Sequence, residues 1–470
     1  MSNRTKTLFK NSLAFTISSF ASKLLTFFLI PLYTSVLTTN DYGIADLLTN
    51  TTNVIYPILT LSISEATLRF AFDEEDRDSV FSNSIIVIIL SELFLSLSLI
   101  VISRYSVAFK NHWYWFLLIY LGFNLHQCVT QYAKGIGHTK VFAFSGVIHT
   151  FIVIVSNIIG LVYLKKGLNA YLFSIVIGYF GTIAYVVASC RLKFLPRKFD
   201  SILLKKMLAF SIPTIPTIIA WWVSQSADKY VIIAYLGVAI SGVYSISYKI
   251  PSIMTIFTNI FNTAWTISAI QNVNASDNSE FQATVYKYFN ICNIFACSIL
   301  ILLAEPLGKI LFAKDFFIAW KCVPMLLVAY LFSGLSGFMG SSFRAAKYTK
   351  GLFSSTSIGA LVNIALNLAV IPRWGIMGAA WTTMIGFAVT FYIRCQTVKK
   401  IVDLRINVIK DSIIYFILLI QAILIGNEIK YGEIISAVLL LLIITIYRKD
   451  IGIIFNEIRK LALKILKVKR

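Results

Sequence analysis

Long apolar runs dominate this 470-residue chain and restrict the fold that it can adopt. A helix of about 20 apolar residues crosses the hydrocarbon core of a bilayer, and the chain carries about fourteen such runs. Charged residues make up only 13% of the sequence, about half the share in a soluble domain. We therefore predict an all-α polytopic membrane protein with about fourteen transmembrane helices. The predicted spans lie near residues 11–37, 42–68, 80–103, 113–133, 141–163, 168–190, 207–236, 242–270, 286–305, 318–343, 351–372, 375–393, 411–427 and 431–447.

The basic residues give the orientation of these spans. An even number of spans places both termini on the same side of the membrane. With the termini in the cytoplasm, the largest Lys/Arg clusters (191–206, 394–410 and 448–470) also lie on the cytoplasmic side, as the positive-inside rule requires. The net charge of +21 is therefore mostly a topology signal, and we predict no nucleic-acid partner. The six cysteines lack metal-ligand and CxxC spacing, and the sequence has no P-loop or Gly-rich phosphate fingerprint, so we predict neither a metal site nor a cofactor.

The sequence repeats itself. KGLNAYLFSIVIGYF (166–180) matches WGIMGAAWTTMIGFA (374–388), with two glycines at the same spacing in each segment. Because both halves would have the same orientation, the repeat predicts two bundles related by an axis along the membrane normal. Two further matches follow the same order: Leu37 and Gly43 with Leu236 and Gly242, and Thr139-Lys140 with Thr349-Lys350.

Domain boundaries follow from this repeat and from the charge pattern. The C-terminal tail alternates apolar and basic residues at helical spacing, which is typical of a helix lying on anionic lipid. We predict an N-terminal six-helix bundle (1–195), a cytoplasmic linker (196–206), a C-terminal six-helix bundle (207–400), two additional transmembrane helices (401–447) and a basic amphipathic cytoplasmic tail (448–470).

Three segments resemble the polysaccharide flippase family, within the multidrug/oligosaccharidyl-lipid/polysaccharide exporter superfamily. They are PLYTSVLTTNDYGIADL (31–47), SADKYVIIAYLGVAISGVYSISYKIPSI (226–253) and GIMGAAWTTMIG (375–386). In the second segment Asp228, Tyr244 and Lys249 fit the pattern of the family. The resemblance extends over about residues 10–400, and the chain carries one helical hairpin more than is common in this branch.

The resemblance implies a function and a mechanism. It implies translocation of undecaprenyl-diphosphate-linked oligosaccharide to the outer leaflet by a V-shaped pair of six-helix bundles that alternates its opening. The expected partners are that glycolipid, membrane lipid and glycan polymerase machinery, in the bacterial cytoplasmic (inner) membrane. We expect an ion- or proton-coupled transporter for surface polysaccharides such as O-antigen, and not an enzyme. The alternatives are a drug/cation antiporter of the same superfamily and, less favoured because the outer loops are short, a membrane glycan polymerase.

Among the titratable residues within the predicted spans, six are candidate site residues, because a charge there costs roughly 2.5–3.5 kcal/mol on insertion scales. A cationic lumen would offset the loss of water around a diphosphate. We therefore predict that three lysines bind substrate and that three other residues serve gating or ion coupling. The lysines are Lys23, Lys249 and Lys229, and the other three are Asp228, Glu92 and His126.

Each of these residues also has a purely structural interpretation. Lys229 could extend from the outer interface into water, or Asp228 could pair with Lys249 when the outer mouth closes. Glu92 could bind a coupling ion or pair with Lys23. His126 could conduct protons or only pack.

Prolines interrupt the equivalent helices of the two halves. Breaks in a spanning helix free backbone groups, which then need a cavity, neighbouring protein or water. We predict that the affected helices bend during alternating access, at Pro31, Pro213, Pro216 and Pro251.

Overall fold

The computed structural model describes residues 25, 27–73, 76–102, 107–192, 198–271, 278–346, 348–402, 404 and 406–468. Regular secondary structure in these ranges is helical, with no strand, which confirms the all-α fold. Within the same ranges, eight helices are long and apolar enough to cross a membrane, and one bent pair would make nine. The chain is therefore a multi-pass membrane protein, while the total of about fourteen spans stays a prediction.

The chain divides into two compact units. The first runs to Ser245 and includes Ala313–Phe316, and the second comprises Ile246–Phe312 and the residues from Phe317 onward. The first unit therefore continues past the predicted linker (196–206) and includes the helical segments between that linker and Ser245. The proposed domain boundaries at 195, 206 and 400 stay a prediction.

The helices of the first unit, numbered in chain order, pack into two apolar cores. Val80, Val129 and Met207 are fully buried in one core, and Leu48 and Tyr120 in the other. These helices are α1 (Ile30–Val36), α2 (Thr39–Leu59), α3 (Ile63–Asp73), α4 (Arg77–Ile102), α5 (Val107–Gly135), α6 (Thr139–Asn157), α7 (Gly167–Cys190), α8 (Ser201–Ser211), α9 (Ile215–Leu236) and α10 (Val238–Ser247), whose C-terminal end enters the second unit.

One helix forms the centre of the second unit. The segment VPMLLVAYLF, which begins at Val323, is apolar on every face, a pattern typical of a helix buried on all sides. This central helix packs against four neighbours, and the Phe338 ring stacks on Trp265 with centroids 4.7 Å apart. The helices of this unit are α11 (Ser252–Gln271), α12 (Asn278–Leu302), α13 (Ala304–Leu311), the central α14 (Val323–Ala345), α15 (Thr349–Val398), α16 (Val408–Gly426) and α17 (Gly432–Val468).

The predicted span 42–68 is not one straight helix. Helices α2 and α3 form a pair bent by 61°. Leu61 and Ser62 at the bend both have a φ of 52°, in the left-handed region that side chains rarely adopt. Because no glycine stands there, the sequence gives no turn signal at this position.

Two other predicted boundaries have a clearer basis. The span 242–270 is interrupted between α10 and α11, and Pro251 lies in the intervening turn. The predicted turn between the eleventh and twelfth spans lies within α15 at Gly375, where φ is 58° and ψ is −143°. Only glycine adopts such a conformation without strain, so this turn is encoded locally.

The C-terminal tail continues α17 to Val468. Residues 448–468 thus extend a helix that begins inside the predicted last span. The side chains of residues 454–468 lie outside the described part, so the lipid-facing amphipathic surface stays a prediction.

A buried glutamine joins the additional helical hairpin (401–447) to the rest of the second unit. Gln421 on α16 accepts a hydrogen bond from Ser298 Oγ (2.9 Å) and donates one to the Ser436 carbonyl (2.8 Å). Replacing Gln421 by leucine removes both bonds, and interhelical bonds in membranes contribute roughly 0.6–1.7 kcal/mol. We expect a lower thermal unfolding midpoint for the purified Gln421→Leu protein. Thr445→Val, which alters an exposed hydroxyl bonded to its own helix, should leave the midpoint unchanged.

Candidate functional site: a helix crossing sealed by two glycines

A capping box fixes the first turn of α2. The Thr38 hydroxyl accepts a hydrogen bond from the Asp41 N–H (3.1 Å), and Asp41 Oδ2 accepts one from the Thr38 N–H (3.2 Å). This reciprocal pair satisfies two backbone donors at the start of the helix. The position of the Thr39 carbonyl is set by the same turn.

Two glycines allow α2 and α10 to cross in direct backbone contact. A Cβ on Gly43 would overlap the carbonyl oxygen of Val238, and a Cβ on Gly242 would overlap that of Thr39. The Cβ on Gly242 would also lie 2.8 Å from the Gly43 nitrogen. Because all these obstacles are backbone atoms, no other residue fits at either position without moving a helix. We call this contact the glycine crossing.

The glycine crossing joins equivalent positions of the two halves. Gly43 and Gly242 correspond in the sequence repeat. Asp46 and Ser245 are hydrogen-bonded and 199 residues apart, which is also the offset between the two glycines. The duplication therefore places a helix of each half at one approximately symmetric contact.

An ion pair lies beside the glycine crossing. Lys229 Nζ on α9 is 3.1 and 3.0 Å from the two carboxylate oxygens of Asp46 on α2. The side chains are only 12% and 18% exposed. The Ser245 hydroxyl on α10 donates to Asp46 Oδ2 at 2.7 Å. Three helices thus meet at one carboxylate, in surroundings where water screens the pair only weakly.

Asp228 has a different partner from its neighbour. It is 3% exposed, and its Oδ2 accepts a hydrogen bond from the Tyr244 hydroxyl at 2.9 Å. Two further polar contacts join α2 to α9. They are Thr51 with the Tyr230 hydroxyl at 2.9 Å, and Ser226 Oγ donating to Asn50 Oδ1 at 3.3 Å.

The structure changes the interpretation of Lys229. It does not extend from the interface into water; its ammonium group pairs with Asp46. Lys249 is half-buried in the turn between α10 and α11, where its backbone N–H donates to the Ile246 carbonyl at 3.0 Å. The pairing of Asp228 with Lys249 stays a prediction. Lys23 lies outside the described residues.

Glu92 on α4 and His126 on α5 are both partly buried in the first unit. Within the described part, one Glu92 carboxylate oxygen is buried without a hydrogen-bond partner. The preceding residue, Ser91, accepts a hydrogen bond from the Tyr120 hydroxyl at 3.1 Å. His126 packs against His149, which the sequence did not single out. The roles predicted for Glu92 and His126 stay predictions.

The four prolines lie at helix starts or interruptions. Pro31 is in the first turn of α1 and Pro216 in that of α9. Pro213 lies in a short 3₁₀ segment before α9, and Pro251 lies in the turn before α11. Bending at these positions during transport stays a prediction.

Sequence reasoning missed three partners in this region. Asp46 was visible only as an acidic residue near a helix start, while Ser245 and His149 carried no signal. Their roles depend on contacts between distant helices. The only hint was the shared offset of the repeat, which relates Asp46 to Ser245. No group of three or more His, Cys, Asp or Glu side chains able to hold a metal occurs among the described residues.

Comparison with known proteins gives a family and a fold. A sequence model described as "Polysaccharide biosynthesis protein" matches residues 8–267, more than half of the chain. No curated protein sequence matches significantly.

Solved structures of transporters share the fold. A lipid II flippase, MurJ, in an inward closed conformation has a TM-score of 0.70 at 17% identity, covering 93% of this chain and 100% of that one. An inward-facing multidrug resistance MATE transporter has a TM-score of 0.68 at 13% identity, with coverages of 84% and 95%. A MOP superfamily transporter from Pyrococcus furiosus has 0.58 at 14% identity, with coverages of 85% and 97%.

Proposed function

Because the chain belongs to the polysaccharide biosynthesis protein family, we propose that it is a flippase for lipid-linked oligosaccharide. The substrate is an undecaprenyl-diphosphate-linked repeat unit, moved from the cytoplasmic to the outer leaflet for surface polysaccharide assembly. The protein works in the bacterial cytoplasmic membrane with both termini in the cytoplasm. It delivers repeat units such as those of O-antigen to glycan polymerase machinery.

The glycine crossing is the observation that carries the mechanism. It joins repeat-equivalent helices at backbone distance and places an ion pair beside the contact. Alternating access requires a closure of this kind that can separate. We assign the glycine crossing to the outer mouth, so that separation of α2 from α9 and α10 opens the pathway outward.

The ion pair gives this closure two stable states. In the closed state, Asp46 neutralises Lys229. On separation both groups reach water, and hydration offsets the lost attraction. Lys229 is then available to the substrate diphosphate. Lys249 and Lys23 supply further positive charge along the pathway, and Asp228 and Glu92 serve gating or coupling.

The sidedness of the glycolipid tests this function. Cells depleted of the protein are converted to inverted and right-side-out vesicles, which are probed with a membrane-impermeant lectin. Complete repeat units accumulating on the cytoplasmic face would support the flippase. Unpolymerised units on the outer face would indicate a polymerase. An unchanged glycan pool would favour a drug/cation antiporter, since a multidrug resistance transporter shares the fold.

Replacing Lys249 tests the cationic pathway. We expect Lys249→Ala to lower translocation about tenfold or more, since a hydrogen bond to a charged group contributes roughly 1.5–3 kcal/mol. Lys249→Arg keeps the charge and should retain part of the activity. The assay is lectin-accessible glycolipid in right-side-out vesicles at equal protein levels. Lys110→Ala, at an exposed lysine, serves as the control. Equal translocation by Lys249→Ala and Lys110→Ala would remove Lys249 from the pathway.

A further inference from the structure

Two histidines and a tyrosine form a ring cluster inside the first unit. The imidazole centroids of His126 on α5 and His149 on α6 are 5.4 Å apart. The Tyr179 ring on α7 lies 5.5 Å from His126 and 5.1 Å from His149. The helices that carry the cluster, α5, α6 and α7, are not those that form the glycine crossing.

Each imidazole has a buried nitrogen that lacks a hydrogen-bond partner within the described residues. These atoms are His126 Nε2 and His149 Nδ1. Buried polar atoms are almost always satisfied, so two such nitrogens in one cluster call for an explanation. A bound ion or proton would supply it.

A glycine brings the third helix onto this cluster. A Cβ on Gly178 of α7 would lie 3.0 Å from His149 Cε1 and 2.5 Å from a methyl group of Val153. The Gly178 backbone can therefore approach the ring.

The other half of the repeat provides an internal comparison. Gly386, which corresponds to Gly178, packs on the Asn363 side chain and near the carbonyl of Gly359, and at the repeat offset of 210 Gly359 corresponds to His149. Asn367 Nδ2 donates to Asn363 Oδ1 at 3.0 Å, and Thr382 donates to Asn367 Oδ1. The second half thus has a glycine where the first half has His149, beside a hydrogen-bonded neutral network. The duplicated architecture does not require unsatisfied groups there, so the histidine pair needs a reason of its own.

The surroundings favour a proton over a metal ion. The cluster offers only two imidazoles, and no group of three metal-ligating side chains occurs in the described part of the chain. Helix α7 carries no charged side chain. Among the described residues, no ion pair or hydrogen bond links either imidazole to a carboxylate. Of the titratable groups in this part of the chain, Tyr179 is the one whose ring contacts both imidazoles. Among the side chains that the structure describes, the charged ones on the helices packed against the cluster are Asp41 and Asp46 (α2), Glu65 and Arg69 (α3), Arg77, Asp78 and Glu92 (α4), Lys110 and Lys134 (α5) and Lys140 (α6).

We propose that His126 and His149 bind one proton between them and couple it to the transport cycle. The inference rests on the proposed function, since it names the ion that drives translocation. A bare nitrogen of one ring takes the proton, and the new N–H then donates to the bare nitrogen of the other ring. The two nitrogens are not hydrogen-bonded to each other in this structure, so this bond forms on protonation. A second proton is disfavoured, because two adjacent positive charges would repel each other in a buried site.

Proton binding is tested directly, without transport. Histidine signals of ¹⁵N-labelled protein in lipid nanodiscs are followed by NMR between about pH 4.5 and 8.5. The wild type should show His126 and His149 titrating together with uptake of one proton. His126→Gln should shift the midpoint of His149 by about one pH unit or more, and His149→Gln should do the same to His126. His138→Gln, at an exposed histidine, should change neither.

Transport assays distinguish proton coupling at His126 and His149 from the proposed flippase function. We expect wild-type vesicles to accelerate glycolipid translocation when a proton gradient is imposed, and the two glutamine variants to lose that acceleration. Unchanged proton dependence in folded His126→Gln/His149→Gln protein would overturn the inference and leave the flippase intact. Independent titration of the two imidazoles, or stoichiometric Zn²⁺ binding that displaces no proton, would also overturn it. Absence of glycolipid translocation by the wild type would instead overturn the proposed function.

Discussion

Gly242→Ala is expected to hold α2 and α10 apart and to reduce translocation about tenfold or more. The added methyl group meets the Thr39 carbonyl and the Gly43 backbone, which cannot turn aside as a side chain could. Overpacking of this kind costs roughly 1–3 kcal/mol, and each 1.4 kcal/mol is a factor of about ten in a conformational equilibrium. The closed state should therefore lose population to the open one.

A cysteine behind the glycine crossing reports this change. Ser226 is buried against Asn50 on α2, so Ser226→Cys should be protected from an impermeant maleimide while the crossing is closed. In a background without the native cysteines, Gly242→Ala should increase its labelling from outside. Gly452→Ala is the matched control, because a Cβ there meets nothing within 4 Å. Wild-type labelling and transport in Gly242→Ala would show that the crossing does not close the pathway.

The sequence predicts features that repeat or that depend on neighbouring residues. Apolar runs of spanning length indicate helices whatever their partners are. Gly375 marks a turn because its conformation excludes a side chain. The matched glycines Gly43 and Gly242 are visible as a repeat. Their direct contact is not, because a repeat does not specify which copies touch.

The partners of Asp228 and Lys229 could not be predicted from the sequence. Adjacent residues on a helix point about 100° apart, so their side chains face different neighbours. Asp228 accordingly accepts from Tyr244, while Lys229 pairs with Asp46, 183 residues away. The proximity of His126 and His149 likewise depends on the packing of three helices. Nothing in the local sequence encodes either contact.

The ion pair and the glycine crossing contribute to the closed state in different ways. The glycines allow the helix backbones to approach closely, as small residues do at helix interfaces in membranes. The Asp46 carboxylate adds direction, since it accepts from Lys229 on α9 and from Ser245 on α10. Substitutions at Asp46 should therefore weaken closure without preventing the helices from approaching.

A double-mutant cycle at Asp46 and Lys229 is expected to show strong coupling. Asp46→Asn deprives the half-buried ammonium of its carboxylate, and Lys229→Met leaves the carboxylate without its cation. Each single variant should increase outside labelling of Ser226→Cys and lower translocation. The double variant carries neither charge, so it should recover part of the protection of Ser226→Cys from labelling and part of the translocation. We expect a coupling free energy of roughly 1.5–3 kcal/mol, a factor of about ten or more in the closed-to-open ratio.

A second ion pair in the same unit provides the control for this cycle. Lys198 and Asp76 are 3.2 Å apart, but their side chains are 64% and 49% exposed. Water and salt screen such a pair, so its coupling should be about 1 kcal/mol or less and should have no effect on labelling at residue 226. Additive effects at Asp46 and Lys229, equal to those at the exposed pair, would mean that the buried ion pair does not stabilise the closed mouth. Strong coupling at the buried pair alone would instead show that Lys229, a charged residue within a predicted span, takes part in gating of the outer mouth.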